Sequence, residues 1–298
     1  MFSSLPAKFV QIMTKAHGEN ATKWLADLPV IIAETEENWS LKVRKSFPNL
    51  SYHYVAPGIC ADGSEAVLKI GFPEKESPII NEARMLKLYD GNGAVRFLRL
   101  DKKRYALLLE RLKPGETLKT ACRKDDARAV EIYIEALRKI IRKPSGNHNF
   151  VRLDDWFKGF EKAKNTNFPA EAVKKARNFY DELKREQVFL LHGDFHHENI
   201  LSATREPFLA IDPKGIIGEI GYEISVFLNN HVWWLASAPN TREKLNYAVR
   251  KIAEAFEIES QDLKKWAFAQ AVLSAWWTFE ENGESWENEL AFAEIWEV

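Results

Sequence analysis

The chain has 298 residues, 42 of them Lys or Arg and 43 Asp or Glu, for a formal charge of −1. Near-neutral balance excludes the simplest nucleic-acid coat or membrane-surface protein, which needs a basic surplus, and 46% hydrophobic with 12% aromatic residues excludes intrinsic disorder. The balance is uneven: residues 280–298 hold seven glutamates and no Lys or Arg, leaving 42 basic against 36 acidic groups on the other 279 residues, a net +6.

Residues 6–38 read as helix, with apolar residues at helical spacing. Runs 39–45, 51–57 and 65–70 are strand-like and separated by turn residues, as in an antiparallel meander. Ser77-Pro78 opens a helix that ends near residues 90–93. Strands follow at 94–100 and 104–110, and Lys113-Pro114-Gly115 breaks the pattern. Beyond it the chain is mostly helical, at 124–142, 169–187, 221–236, 240–257, 260–281 and 285–296. Short β-rich runs at 188–191, 200–202 and 208–211 interrupt the helices. The class is α+β, with a β-rich first lobe and a helical second one. Cys60 and Cys122 lie far apart without a CxxC pattern, which argues against disulfides or a cysteine zinc site and fits a reducing compartment. Residues 1–20 show no continuous apolar stretch, so no signal peptide is expected. No apolar run reaches the roughly 18–20 residues that span a bilayer. The expected setting is cytoplasmic, with neither membrane nor nucleic acid as partner.

The chemistry concentrates in Leu191-His-Gly-Asp194-Phe-His196-His197-Glu-Asn199-Ile200, followed thirteen residues after Asn199 by Asp212 in Ile211-Asp-Pro-Lys-Gly215. An Asp, an Asn five residues on and a second Asp after the next hairpin are the groups phosphoryl transfer needs. One carboxylate orients the attacking hydroxyl; an amide oxygen and a second carboxylate suit Mg²⁺, a hard cation. Asp194 would act chiefly by positioning, taking the proton late. His192 reads as packing for the loop backbone, His196 as a polar contact, and Glu219 and Glu223 as braces or substrate contacts. Lys214 reads equally as a phosphate contact or a solvated side chain. The cluster His192, Asp194, His196 and His197 also suggests a metallohydrolase, but that leaves Lys69, Asn199 and Asp212 without a role.

The HxDxxxxN pattern with its following Asp resembles the protein-kinase catalytic loop and metal-binding segment. In the form His192-Gly-Asp194-Phe-His196-x-x-Asn199, with Ile211–Gly215, Gly218-Glu-Ile-Gly-Tyr-Glu223, Leu109–Gly115 and Ala66-Val-Leu-Lys69, it is similar to the streptomycin 6-phosphotransferase and hydroxyurea kinase family. The likeness runs from about Trp39 to Asn230. It implies a protein-kinase-like bilobal fold: a nucleotide-binding lobe over 1–108, a hinge over 109–115 and a helical catalytic and substrate-binding lobe over 116–298. By the same resemblance Lys69 reaches the phosphates of ATP or GTP, Glu82 braces it, and Leu109, Glu110, Arg111 and Leu112 hold the adenine. Asp194 is catalytic, and Asn199 and Asp212 bind Mg²⁺. Two departures stand out: residues 46–51 lack the glycines of a phosphate-covering loop, and Pro213 replaces the Phe of a switching segment.

The upstream pair also follows from the residues themselves. Lys69 lies inside an apolar strand and is costly without a partner. Glu82 shares a helical stripe with Ile79, Leu86 and Tyr89, and a carboxylate there wants a cation. The acidic end is interleaved with Trp276, Trp277, Phe279, Trp286, Phe292 and Trp296, as a cationic or guanidinium-bearing ligand would need. Glu280, Glu281 and Glu284 are therefore candidate substrate contacts, with Asp155 and Trp156 as a second wall. The expected activity is phosphorylation of a small-molecule hydroxyl, on a streptomycin-like aminoglycoside or hydroxyurea. A kinase for another amino alcohol or sugar derivative, or a catalytically silent nucleotide-binding module, are the alternatives.

Overall fold

The structure is a computed structural model. It describes residues 5–74, 77–144, 149–183, 188–236, 238–283 and 285–296. The chain divides into two compact units, Met1–Gly115 and Glu116–Val298.

The first unit begins with α1 (Ala7–Trp39), followed by β1 (Leu41–Val43), β2 (Tyr54–Cys60), β3 (Glu65–Ile70), α2 (Pro78–Tyr89), β4 (Phe97–Asp101) and β5 (Ala106–Glu110). The strands form one antiparallel sheet in the order β1-β2-β3-β5-β4. Helix α1 is broken at Gly18, whose φ of 57° and ψ of −136° are outside helical space, and contains Pro29 further on. Its buried Phe9, Met13, Trp24, Leu25 and Leu28 share one core with Ala66, Leu68 and Ile70. Strand alternation then turns Lys69 to the opposite face of β3. Strand β2 begins and ends three residues later than expected and runs through Pro57, which lacks a donor but accepts from Arg44 N–H at 2.8 Å.

The chain enters the second unit within β6 (Pro114–Thr117). There follow α3 (Leu118–Ala121), α4 (Asp126–Ile140), β7 (Val151–Arg152), α5 (Leu153–Lys158), a 3₁₀ turn (Gly159–Ala163) and α6 (Ala170–Leu183). Next come β8 (Phe189–Leu191), β9 (Ile200–Ala203), β10 (Phe208–Ala210), β11 (Ile216–Gly218), α7 (Ile220–Leu235), α8 (Thr241–Phe256), α9 (Ser260–Asn282) and α10 (Trp286–Ile295). Two three-stranded sheets, β10-β9-β6 and β7-β11-β8, frame the loops that carry the candidate chemistry. Helix α7 is buried along most of its length and serves as the internal support. It approaches α9 so closely that a Cβ on Gly221 would lie 2.3 Å from the Trp266 indole. Among the described residues, no helix is long and apolar enough to cross a membrane, and Cys60 and Cys122 are free.

Candidate active site

The loop between β8 and β9 is held from below by two buried side chains. Glu223, in the first turn of α7, accepts Gly193 N–H at 3.1 and 3.0 Å through its two oxygens and Phe195 N–H at 3.2 Å. Gly193 reaches this position with φ 85°, a conformation that favours glycine. Burial pushes the Glu223 pKa up to about 7, the loop N–H donors opposing it. His192 binds the other side of the loop. Its Nε2 lies 2.8 Å from Ile211 O, which can only accept, so Nε2 carries the proton and Nδ1 accepts Asp194 N–H at 3.2 Å. Burial pushes its pKa down to about 4, so the ring is neutral at pH 7. His192 and Glu223 thus hold the loop backbone, and neither points at a reacting group.

Asp194 projects from this braced loop. Its Oδ2 lies 3.2 Å from Lys214 Nζ and its Oδ1 3.7 Å from His196 Nε2. Burial works to raise its pKa; the Lys214 ammonium, together with His196 and His192, outweighs that and holds the carboxyl below its ordinary range. Asp194 is therefore an anion at neutral pH.

Asn199 Nδ2 donates to Asp194 O at 2.8 Å, which leaves Oδ1 as the amide's acceptor end. Ile200 pairs with Ala210 in the β9–β10 ladder, and Ile211 N–H donates to Asn199 O at 2.9 Å. Asn199 and Asp212 consequently leave the same end of one hairpin. Asp212 has φ 59°, a left-handed conformation Asp tolerates better than most residues. Two hard oxygen donors at one hairpin end fit Mg²⁺, which keeps waters and takes phosphate oxygens for the rest of its shell. The alternative His/Asp metal cluster does not form: among the described residues no three His, Cys, Asp or Glu groups come together to hold a metal. His197 is instead stacked on Phe227 and bonded through Nε2 to His231 Nδ1 at 3.0 Å.

A cavity of about 450 Å³ opens beside the loop, walled in part by His196, Trp233, Gln270, Glu289 and Phe292. Glu289 accepts from Thr278 Oγ1 at 2.7 Å and has no cationic side chain against it among the described residues. Burial pushes its pKa up, the Thr278 and Ser274 hydroxyls opposing it. Trp233 is exposed at the rim, its ring 4.7 Å from that of Phe292. Asn229 is locked by Trp296 Nε1, which donates to its Oδ1 at 2.8 Å.

The proposed substrate residues sit apart from this lining. Glu280 pairs with Lys162 at 2.8 Å and Asp155 with Lys158 at 2.8 Å. Trp156 packs edge-on against Trp277 at 5.1 Å and Tyr222 at 5.7 Å. Glu281 is exposed, and Glu284 lies outside the described residues. The acidic end does reach the cavity, through Glu289, which the sequence reading passed over. The available signal was its place in Trp286-Glu-Asn-Glu289, three residues before Phe292 and so on one helix face with it.

In the first unit, Lys69 Nζ meets Glu82 Oε2 at 2.7 Å, both side chains 4% exposed. Leu109 and Glu110 end β5, and Glu110 Oε2 accepts Arg96 N–H at 3.0 Å. The Arg111 guanidinium lies over the Phe47 ring, 4.8 Å from its centre, within the glycine-free stretch 46–51. Leu112 is buried.

Residues 38–283 match the family described as aminoglycoside/hydroxyurea antibiotic resistance kinase. The chain is 28% identical over 299 residues to a hydroxyurea phosphotransferase of Kitasatospora aureofaciens, covering 98% of this chain and 85% of that one. It is 26% identical over 284 residues to a streptomycin 6-kinase of Streptomyces griseus, covering 93% and 91%. Its fold is shared with a thermostable mutant of aminoglycoside phosphotransferase APH(4)-Ia, solved as a ternary complex with ADP and hygromycin B, at a TM-score of 0.64 and 11% identity over 88% of this chain and 97% of that one. The family match covers most of the chain, catalytic-type loop included: this protein belongs to the aminoglycoside/hydroxyurea antibiotic resistance kinase family.

Proposed function

We propose that the protein is a small-molecule kinase that transfers the γ-phosphate of ATP to a hydroxyl of a cationic acceptor of the streptomycin type. The relatives named as streptomycin 6-kinase and hydroxyurea phosphotransferase support the activity, and the fold neighbour that holds ADP supports a nucleotide donor. The observation that carries the reading is the ionised Asp194, fixed on a loop braced by Glu223, with Asn199 and Asp212 at the end of the adjoining hairpin.

Asp194 accepts a hydrogen bond from the acceptor hydroxyl and aligns its oxygen. That oxygen bonds to the γ-phosphorus as the bond to the β–γ bridging oxygen breaks, and the electron pair leaves with the diphosphate. The hydroxyl proton passes to Asp194 late, because an alcohol is too weak an acid to lose it beforehand. Asn199 Oδ1 and the Asp212 carboxylate would hold Mg²⁺, which supplies charge neutralisation at the phosphate oxygens. Lys69, held by Glu82, donates to the nucleotide phosphates, and residues 109–112 receive the adenine.

The acceptor occupies the cavity beside the loop, whose volume of about 450 Å³ suits a ligand of drug size. Glu289 and the Trp233 face favour a cation, by ion pairing and by attraction to the ring. Hydroxyurea is small and uncharged and would leave Glu289 without a cationic partner. The test is mass spectrometry of streptomycin and hydroxyurea incubated separately with the protein and Mg·ATP, with Mg·GTP in parallel. A phosphorylated streptomycin supports the reading; no phosphorylated product from either acceptor refutes it.

A further inference from the structure

Among the described residues Lys214 sets an ammonium against Asp194 and has no place in the transfer described above. Its position is set by the fold rather than by the ion pair. Ile216 pairs with Leu191 in the antiparallel β8–β11 ladder. Just beyond that pair, Lys214 N–H donates to His192 O at 2.8 Å and Gly215 N–H to the same oxygen at 3.1 Å. Lys214 therefore stands opposite Gly193, one residue from Asp194, on a backbone bonded to the catalytic-type loop itself. A Cβ on Gly193 would touch Lys214 Cβ at 3.4 Å, so the two segments are in contact. Nζ then reaches Asp194 Oδ2 at 3.2 Å while the side chain stays half exposed.

A half-exposed ion pair contributes little to stability, about 0–1 kcal/mol. Stability therefore offers little reason for a cation beside the carboxylate that takes the acceptor's proton. Chemistry offers one. An ammonium has three N–H donors, and Asp194 is its one ionic partner among the described residues. Before transfer it faces a carboxylate anion. As the hydroxyl proton reaches Asp194 that charge disappears, at the moment the phosphoryl oxygens gain theirs. The ammonium exchanges one anionic partner for another.

We propose that Lys214 is a further catalytic residue, whose ammonium neutralises Asp194 before transfer and contacts the transferred phosphoryl group during it. The inference rests on the kinase reading above, and wild-type turnover tests that reading separately. The experiment compares wild type, Lys214→Met and Lys214→Arg by steady-state kinetics with streptomycin and Mg·ATP. Calorimetry of ADP, alone and as the Mg·ADP–aluminium fluoride mimic of the phosphoryl in flight, accompanies it. Removing one donor aimed at developing charge costs about 10²–10³ in kcat. Lys214→Met should show a loss of that size with streptomycin KM and ADP affinity little changed, and bind the mimic more weakly by a comparable factor. Lys214→Arg, which keeps the charge, should recover most of both. Unchanged kcat in Lys214→Met would overturn the proposal. So would a lowered kcat with unchanged affinity for the mimic, since Lys214 would then only position Asp194. Weakened ADP binding in Lys214→Met together with failure of Lys214→Arg to recover activity would mark a structural role and overturn it too. A wild type without turnover removes the kinase reading and the proposal with it.

Discussion

Replacing Glu223 by Gln tests whether a buried carboxylate holds the catalytic-type loop. Gln is nearly isosteric, so no cavity opens. Its carbonyl can occupy the Oε1 position and still accept from Gly193 at 3.1 Å and Phe195 at 3.2 Å. Its NH₂ then stands where Oε2 accepts Gly193 N–H at 3.0 Å, donor against donor. Losing that charge-assisted bond costs about 1.5–3 kcal/mol. Against it stands the cost of burying an ionised group, visible in a pKa pushed from 4.5 up to about 7. A folded-state pKa above the unfolded one means the folded protein holds the proton more tightly. Glu223 therefore lowers wild-type stability progressively as pH rises from 4.5 to about 7. At about 1.36 kcal/mol per pH unit, that interval comes to roughly 3 kcal/mol. Gln does not titrate. The stability difference between the two proteins should therefore move towards the variant by about 3 kcal/mol between about pH 4 and about pH 8. Urea unfolding followed by tryptophan fluorescence reads the relevant unit, since eight of the ten tryptophans lie within Glu116–Val298. A difference that stays constant over that range refutes the account of Glu223 as a buried, titrating brace.

Lys69→Met leaves Glu82 buried without its cation, so unfolding midpoints should fall by an amount matching about 3–5 kcal/mol, together with loss of Mg·ATP binding by calorimetry. Glu289→Gln should raise streptomycin KM about tenfold with kcat retained, and leave any hydroxyurea turnover unaltered, because only the cation loses a partner. Gly221→Ala puts a methyl 2.3 Å from the Trp266 indole and should cost about 1–3 kcal/mol in urea unfolding.

Much of this was legible in the chain because chemistry and burial restrict it tightly. A lysine inside an apolar strand demands a carboxylate, and Glu82, on a helical stripe with Leu86 and Tyr89, meets it at 2.7 Å. The two-lobe α+β pattern follows from strand-period runs giving way to helical ones at Gly115. Less legible were features set by tertiary packing. Strands β7 and β11 have two and three residues, too few to show a period, yet β11 delivers Lys214 to Asp194. Strand β2 tolerates Pro57 because its carbonyl still bonds. The acidic end carries many glutamates at similar spacings, and only the packing of α7, α9 and α10 decides which faces a cavity: Glu289 does, while Glu280 turns to Lys162. His197, in the same sequence cluster as Asp194, is drawn inward by His231, thirty-four residues away.

Whether Asp194 orients the acceptor hydroxyl is decided by transfer in Asp194→Ala, measured with streptomycin and Mg·ATP beside calorimetry of Mg·ATP binding. Transfer should fall by at least about 10²–10⁴-fold while nucleotide affinity stays at the wild-type value. Transfer at the wild-type rate would contradict that role.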